Sequence, residues 1–427
     1  MPVFDVVVVG ARVAGASLAI RLAQGGLSVA LVDKADPSSA PEVPSCPIMY
    51  ASAVELFDEI GFVEDKYQHA ATRIRKGVVG FEGYFQATIP VPKLYGRDYL
   101  YGFDRGKFDG ALWDHVATVP GITRRAGFTV QDLVRDDADR VVGVLGRDKH
   151  GEPERLEARL AVIGADGRHS LIARKAGARV LDDRSVKTST IHFAEWENVA
   201  PGTPDGEPVL QIVSTGRGIN VLFFPSSPGR IHVATQVRSD RADIDGDADA
   251  YYARHLDSLA TVRQRLAGAR QIGPVRGVRK IANRYREVGG AGWLLVGDAL
   301  HHKDPVDGQG IHDALVEGRE LAALLIKLHR RQLTWSELLL RYQHAVTAAT
   351  HAMFEATMKR LERDFYVDPP PLLIRTLLRW ALQDPEYQRR FLMFLARAIP
   401  PDRFRTPRLM AGVIARGLAR DARALLS

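Results

Sequence analysis

A single cysteine, Cys46, in a chain of 427 residues excludes disulfides within the chain, CxxC redox chemistry and cysteine-rich metal sites. Long apolar runs are also missing: no stretch reaches the ~18 residues of a membrane-spanning helix. The amino terminus lacks the basic stretch and cleavage site of a secretory signal and runs straight into MPVFDVVVVG, so a cytoplasmic location is expected. No nucleic-acid-binding module is recognisable, and the net charge of +7 is small for this length. That charge is uneven. After Tyr366 arginines are many and acids few, a pattern that suits a solvated helical surface or attraction of an anionic cofactor or substrate such as NADPH.

What is present is ordinary in bulk, with 46% hydrophobic and 26% charged residues, enough for a large core and two or three domains. Residues 4–9 are a continuous β-branched run, as in a strand buried on both faces. Residues 14–24 have helical apolar spacing, Gly25 and Gly26 stop them, and residues 28–33 form a second buried strand. This is a βαβ unit. Residues 36–47 read as a Pro- and Ser-rich loop, 49–60 as a helix, 74–91 as strand-like runs broken by Gly80 and Gly83, and 105–119 as a helix. Strands follow at 129–134, 141–147 and 156–163. Beyond Gly177 short alternating strands at 188–196, 208–213, 219–224 and 230–237 suggest an antiparallel sheet inserted into the first domain. The chain returns through a buried strand at 293–297 to a helix after Gly310. From Trp335 onward it is mostly helical, with a break at Pro369, Pro370 and Pro371.

Three motifs carry the chemistry. In VVVVGARVAGAS (6–17), Gly10 and Gly15 stand where a dinucleotide fold needs a tight turn and close helix–strand packing, and Asp33 stands where an acid accepts from an adenosine ribose. Arg12 occupies the middle glycine position; its guanidinium can point outward and leave the helix N-terminus open to phosphate. GADGRHS (164–170) sits at a strand-to-helix corner. GDALHHKDPVDGQG (297–310) ends a buried strand with Asp298, able to accept from ribityl hydroxyls, and places Pro305, Gly308, Gln309 and Gly310 at a helix start, where backbone N–H groups stabilise the charge of a reduced flavin.

Together these motifs resemble the three fingerprints of the FAD-dependent aromatic hydroxylases, the para-hydroxybenzoate hydroxylase superfamily, over residues 6 to about 325. The resemblance implies an α/β fold: a Rossmann-like FAD-binding domain with an inserted antiparallel β-sheet substrate domain and a helical C-terminal region. The corresponding division is 1–180 and 286–365 for the FAD-binding parts, 181–285 for the sheet and 366–427 for the helical extension, which forms either a pocket wall or a homodimer contact. It implies FAD contacts by Gly10, Val13, Ala14, Gly15, Asp33, Lys34, Arg105, Val130, Asp166, Asp298, Pro305, Gly308, Gln309, Gly310 and Ile311. His312 replaces the asparagine the family carries there. In that family NADPH or NADH binds transiently and reduces the flavin, which reacts with O2 to a C4a-hydroperoxide that oxygenates an aromatic small molecule. His301 and His302 are candidate proton handlers. Phe193, Trp196, Phe223 and Pro225 are candidate substrate contacts, and Cys46 is expected to be a buried thiol.

Three alternatives share the cofactor. Flavin-dependent halogenases carry a W-x-W-x-I-P motif, whereas Trp113, Trp196, Trp293, Trp335 and Trp380 never form W-x-W, and Lys76 is the one lysine in a plausible region. Geranylgeranyl reductases, which reduce C=C bonds often at membranes, fit the helical tail, but their aromatic-rich motif is not evident in NVLFFPSSPG. A non-enzymatic flavin module leaves three flavin-contact motifs unexplained. No second glycine-rich βαβ unit is present, which argues against two-dinucleotide enzymes. The expected activity is an FAD-dependent monooxygenase that hydroxylates or epoxidises an aromatic or polycyclic substrate.

Overall fold

The β-branched run at the amino terminus becomes a central parallel strand, because only the middle of a sheet buries both faces of such a run. In the computed structural model, which describes residues 2–38, 47–242, 246–367 and 373–426, Val3–Val9 lies between Pro153–Gly164 and Val29–Asp33, parallel to both. The sheet runs from Gly289–Gly290 through Trp293–Leu295, Pro153–Gly164, Val3–Val9 and Val29–Asp33 to Ile122–Ala126. Thr129–Arg135 and Val141–Arg147 extend it as antiparallel strands beside the first half of Pro153–Gly164. Helix Val13–Gln24 packs against the sheet and against helix Gly310–His329, and most of its residues are buried. Cys46 and the three consecutive prolines lie outside the described residues.

A second, seven-stranded sheet stands apart from the first. Its order is Arg270–Val278, Ser189–Glu197, Arg230–Arg238, Ile219–Ser227, Val209–Ser214, Lys76–Phe81 and Phe85–Pro90. Two features depart from the sequence reading. The last two strands come from residues 76–90, far upstream of the inserted segment, and Val209–Ser214 pairs with Lys76–Phe81 in parallel. Periodicity marks residues 74–91 as extended but carries no information on a partner more than a hundred residues away.

Strand alternation gives this sheet two apolar faces. One buries Val221, Phe223 and Val233 against Tyr252, Leu256 and Val262, on and beside the two short helices Ala248–Asp257 and Ala260–Leu266. The other buries Phe193 and Phe224 against Trp380, Tyr387, Phe394 and Phe404 of the C-terminal helices. Those helices are Leu373–Leu382, Pro385–Leu395, Pro401–Phe404 and Pro407–Leu426, reached through the 27-residue helix Trp335–Leu361 and its terminal π-turn. The helical extension therefore acts as a wall over one face of the second sheet.

Candidate functional site

Three motifs far apart in sequence meet at the carboxyl ends of the central parallel strands, where open α/β sheets bind ligands. Gly10 is in the left-handed region (φ +104°), and a Cβ there would come within 2.3 Å of the Ala165 carbonyl oxygen, so the first motif touches the second. Gly297 (φ +64°) faces Ala14, whose Cβ a Gly297 Cβ would approach to 2.8 Å, so the third motif touches the first. Arg286 ties the remaining pair, donating to the Ala299 carbonyl (2.8 Å) and to the Arg168 carbonyl (3.1 Å). Gly15 is required by packing: a Cβ would overlap the Gly10 carbonyl at 1.8 Å.

Asp33 closes the glycine turn by accepting from the Ala11 N–H (2.8 Å) and the Ala35 N–H (3.0 Å). Val130 is buried on the strand that follows Phe128, whose N–H donates to the Asp33 carbonyl (2.9 Å), while Lys34 is exposed. Arg12 caps the start of helix Val13–Gln24 through its backbone, and its guanidinium reaches Asp109 (3.3 Å) on the neighbouring helix Arg105–Ala117. Arg105 pairs with the same carboxylate (3.0 Å). The bulky residue at the middle glycine position is therefore directed to the adjacent helix.

Asp166 is committed locally. Its oxygens accept from the Ser170 hydroxyl (2.6 Å) and from the N–H groups of Leu171 and Ile172 (2.6 and 3.2 Å), which caps helix Leu171–Ala176. Burial raises its carboxyl above the usual range. Asp298 is different: it is open to solvent, yet protein atoms crowd round its carboxyl. That enclosure raises its carboxyl, against the pull of the nearby cations His301, Arg168, Arg105 and Lys303. Pro305 opens a short turn capped by Gly308 in the left-handed region (φ +64°), after which Gln309 begins helix Gly310–His329 with no side-chain cap. Gly310 is exposed, a Cβ there would meet open space, and Ile311 is half-buried behind it. A twenty-residue helix thus presents uncapped backbone N–H groups to the solvent side of the loop.

Beneath this loop lies a charge network of which spacing shows only the two acids. Asp313 and Glu317, one turn apart on the buried side of the helix, face Lys303, Arg397 and His301. Glu317 accepts from the Gly297 N–H (2.6 Å) and lies 2.6 Å from His301 Nδ1. Burial by itself would lower His301, but Glu317 and Asp313 outweigh it and hold the imidazole up at about 9, so the pair is ionic at neutral pH. Asp313 is held well below the usual carboxylate range by Lys303 and Arg397, burial notwithstanding. Tyr285 stacks on His301 with ring centres 4.5 Å apart. His301 is thus a structural cation, and His302, buried and lowered to about 3, stays neutral and is a poor base at physiological pH.

Other residues that sequence reasoning missed hold the loop from its far side. Asp304 accepts from Ser189 and from Gln236 Nε2 (2.8 Å) on the second sheet, and its N–H donates to Asn283 Oδ1 (2.7 Å). Gln309 donates to the Leu395 carbonyl (2.9 Å) and accepts from Arg397 Nε (2.7 Å), so the C-terminal extension grips the flavin-motif loop directly. Acids at i and i+4 on an apolar helix face were the one readable signal; Arg397 gave none, since its partners are more than eighty residues away.

The substrate candidates divide by face. Phe193 lies on the side covered by the C-terminal helices, stacked on His232 at 4.3 Å. Trp196 and Phe223 do not share it: alternation turns them to the outer face, where Trp196 Nε1 donates to the Tyr252 hydroxyl (3.0 Å) and Arg265 covers the Phe223 ring at 4.2 Å. These two are corrected from pocket contacts to outer-core residues. Pro225 is buried at the end of its strand, where its carbonyl oxygen would lie 1.8 Å from a Cβ on Gly102.

Fold and site together define a flavin-binding oxidoreductase. The chain matches the family model described as FAD binding domain over residues 3–357, and it belongs to that family and to the superfamily of FAD-dependent aromatic hydroxylases. It is 29% identical over 346 residues to a digeranylgeranylglycerophospholipid reductase 2 of Methanopyrus kandleri, covering 80% of this chain and 81% of that one. It is 27% identical to the ubiquinone hydroxylase UbiL of Rhodospirillum rubrum, covering 96% and 93% respectively. Among solved structures, a flavin-dependent brominase superposes with a TM-score of 0.78 at 18% identity, over 98% of this chain and all of the other. The protein is an FAD-dependent enzyme.

Proposed function

We propose that this protein is an NAD(P)H- and O2-dependent monooxygenase that oxygenates an aromatic or polycyclic small molecule. The uncapped N-terminus of helix Gly310–His329, in the same motif loop as solvent-exposed Asp298, carries the flavin part of the reading. The residues fit FAD. Asp33 would hold the adenosine ribose, with Val130 and Lys34 beside it; Gly10, Val13, Ala14 and Gly15 would admit the pyrophosphate; and Arg105 would face its charge. Asp298 would accept from the ribityl chain, and Pro305 and 308–311 would supply N–H groups to the ring edge. Asp166 would support the same corner from beneath. Bound FAD supplies electron transfer from the nicotinamide and activation of O2. The chain's own part is to exclude water and orient the substrate, for which the apolar face carrying Phe193 and Phe224, closed by the C-terminal helices, is suited.

The hydroxylase reading is preferred to C=C reduction because the likeness to the ubiquinone hydroxylase extends along nearly the whole chain, the C-terminal wall included, whereas that to the reductase covers four-fifths of it. The solved brominase supports the fold alone, a brominase similar in sequence covers 74% of this chain against 96% for the hydroxylase, and W-x-W is absent from this sequence. The test is to purify the protein, record its absorption, and follow O2 uptake on adding NADPH, with and without phenols and quinols. Substrate-stimulated O2 uptake by a yellow protein is the expected outcome. A flavin reduced by NADPH or dithionite without substrate-linked O2 uptake would transfer the assignment to C=C reduction. No flavin spectrum after reconstitution would overturn both.

A further inference from the structure

Helix Pro407–Leu426 is fastened to the molecule along one side only. Leu409 and Val413 are buried, and Gly417 lies so close to the Trp380 ring that a Cβ would come within 2.3 Å of it. Arg416 pairs with Asp384 (2.6 Å), Asp421 accepts from Arg379 (2.6 Å) and Trp380 Nε1 (2.9 Å), and Arg420 donates to the Trp380 carbonyl (3.1 Å). The opposite side carries Ala411, Ile414, Ala415, Leu418, Ala422 and Leu425, all exposed. Their spacing places them in one stripe at 3.6 residues per turn, with Leu418 56% and Leu425 87% exposed. The fold does not need this stripe, and nothing among the described residues covers it.

Charge indicates the occupant. Residues 373–426 contain eleven arginines, no lysine and four acids, a net +7 that equals the net charge of the whole chain, so everything else sums to zero. Exposed Arg408 borders the stripe, and exposed Arg423 lies further round the helix. A second copy of the chain would bring an equally cationic tail against this one, whereas an anionic lipid surface complements it. Among the described residues no helix is long and apolar enough to cross a membrane, so the geometry is that of a helix lying in the interface.

We propose that helix Pro407–Leu426 is an interfacial anchor that seats the protein on an anionic bilayer surface, with its apolar stripe at the headgroup–acyl boundary and its arginines against lipid phosphates. The test reads binding rather than turnover, so it stands apart from the assignment of the reaction. The full-length FAD-loaded protein is sedimented with vesicles of phosphatidylcholine mixed with phosphatidylglycerol and with vesicles of phosphatidylcholine alone. The protein is expected to sediment with the anionic vesicles, less so at high salt. Joint replacement Leu418→Glu and Leu425→Glu weakens partitioning by about tenfold or more, with circular dichroism and flavin content unchanged. Joint replacement Arg408→Gln and Arg423→Gln, which leaves the stripe intact, reduces the preference for anionic lipid. Failure to sediment with anionic vesicles, or binding indifferent to the Leu418 and Leu425 changes, overturns the proposal. So does a lipid-free dimer that Leu418→Glu converts to monomer, because the stripe then belongs to a second copy.

Discussion

Replacing Glu317 by glutamine tests whether the buried pair under the flavin-motif loop is ionic. Glu317 is fully buried, holds the Gly297 N–H at 2.6 Å and faces His301 at 2.6 Å. Burial also raises the Glu317 carboxyl, which taken alone would favour a neutral pair. The Gly297 N–H on Glu317 and the Tyr285 ring stacked on His301 favour the charged form, and His301 is raised accordingly. A rise in His301 from 6.5 to about 9, at about 1.4 kcal/mol per pH unit, corresponds to about 3 kcal/mol. Because the folded value lies above the ordinary one, this contribution is fully present below pH 6.5 and fades as the pH rises through 9. Glu317→Gln keeps an acceptor for Gly297 and removes only the charge. Urea unfolding of both proteins, followed by far-ultraviolet circular dichroism, should show the variant less stable at pH 6 by up to about 3 kcal/mol, Asp313 keeping its own share of the hold on His301. By pH 10 the difference should have closed or reversed, because His301 is then neutral and the parent alone keeps a buried Glu317 carboxylate without its cation. A variant as stable as the parent at pH 6, or a deficit unchanged at pH 10, refutes an ionic pair.

Two further outcomes follow from backbone and face. Gly297→Ala places a Cβ 2.8 Å from that of Ala14 in a left-handed conformation, at about 1–2 kcal/mol for the conformation alone; FAD affinity measured by fluorescence titration should fall by about tenfold or more. Trp196→Phe removes one hydrogen bond on the outer face and should leave kcat/KM for an accepted aromatic substrate unchanged, with about 1 kcal/mol lost in stability. Phe193→Leu, on the covered face, should change kcat/KM by about fivefold or more, and equal effects of the two would contradict the assignment of faces.

The motifs were readable because each rests on local geometry. A βαβ unit needs its glycine at the turn and its acid at the next strand end, and both are fixed by residues within one short span, as the Ala11–Asp33 hydrogen bond illustrates. The helix start at Gly310 and the left-handed Gly308 are local in the same sense. The aromatic residues of the second sheet were harder: alternation predicts that Phe193 and Trp196 point to opposite faces, but not which face lies toward the flavin motifs.

What the sequence determined alone, then, is the flavin-binding scaffold and the cationic, helical character of the tail, since strand and helix periods, turn glycines and charge are properties of neighbouring residues. Only the tertiary structure decided what surrounds them. It brought strands from residues 76–90 into the second sheet, turned Trp196 and Phe223 outward, and carried Arg397 to Gln309 and Asp313. It also docked helix Pro407–Leu426 by Leu409 and Val413, leaving Leu418 outside. Each of these is a pairing between distant segments, selected by which apolar faces bury together and which buried charges find partners, and no local pattern encodes that choice.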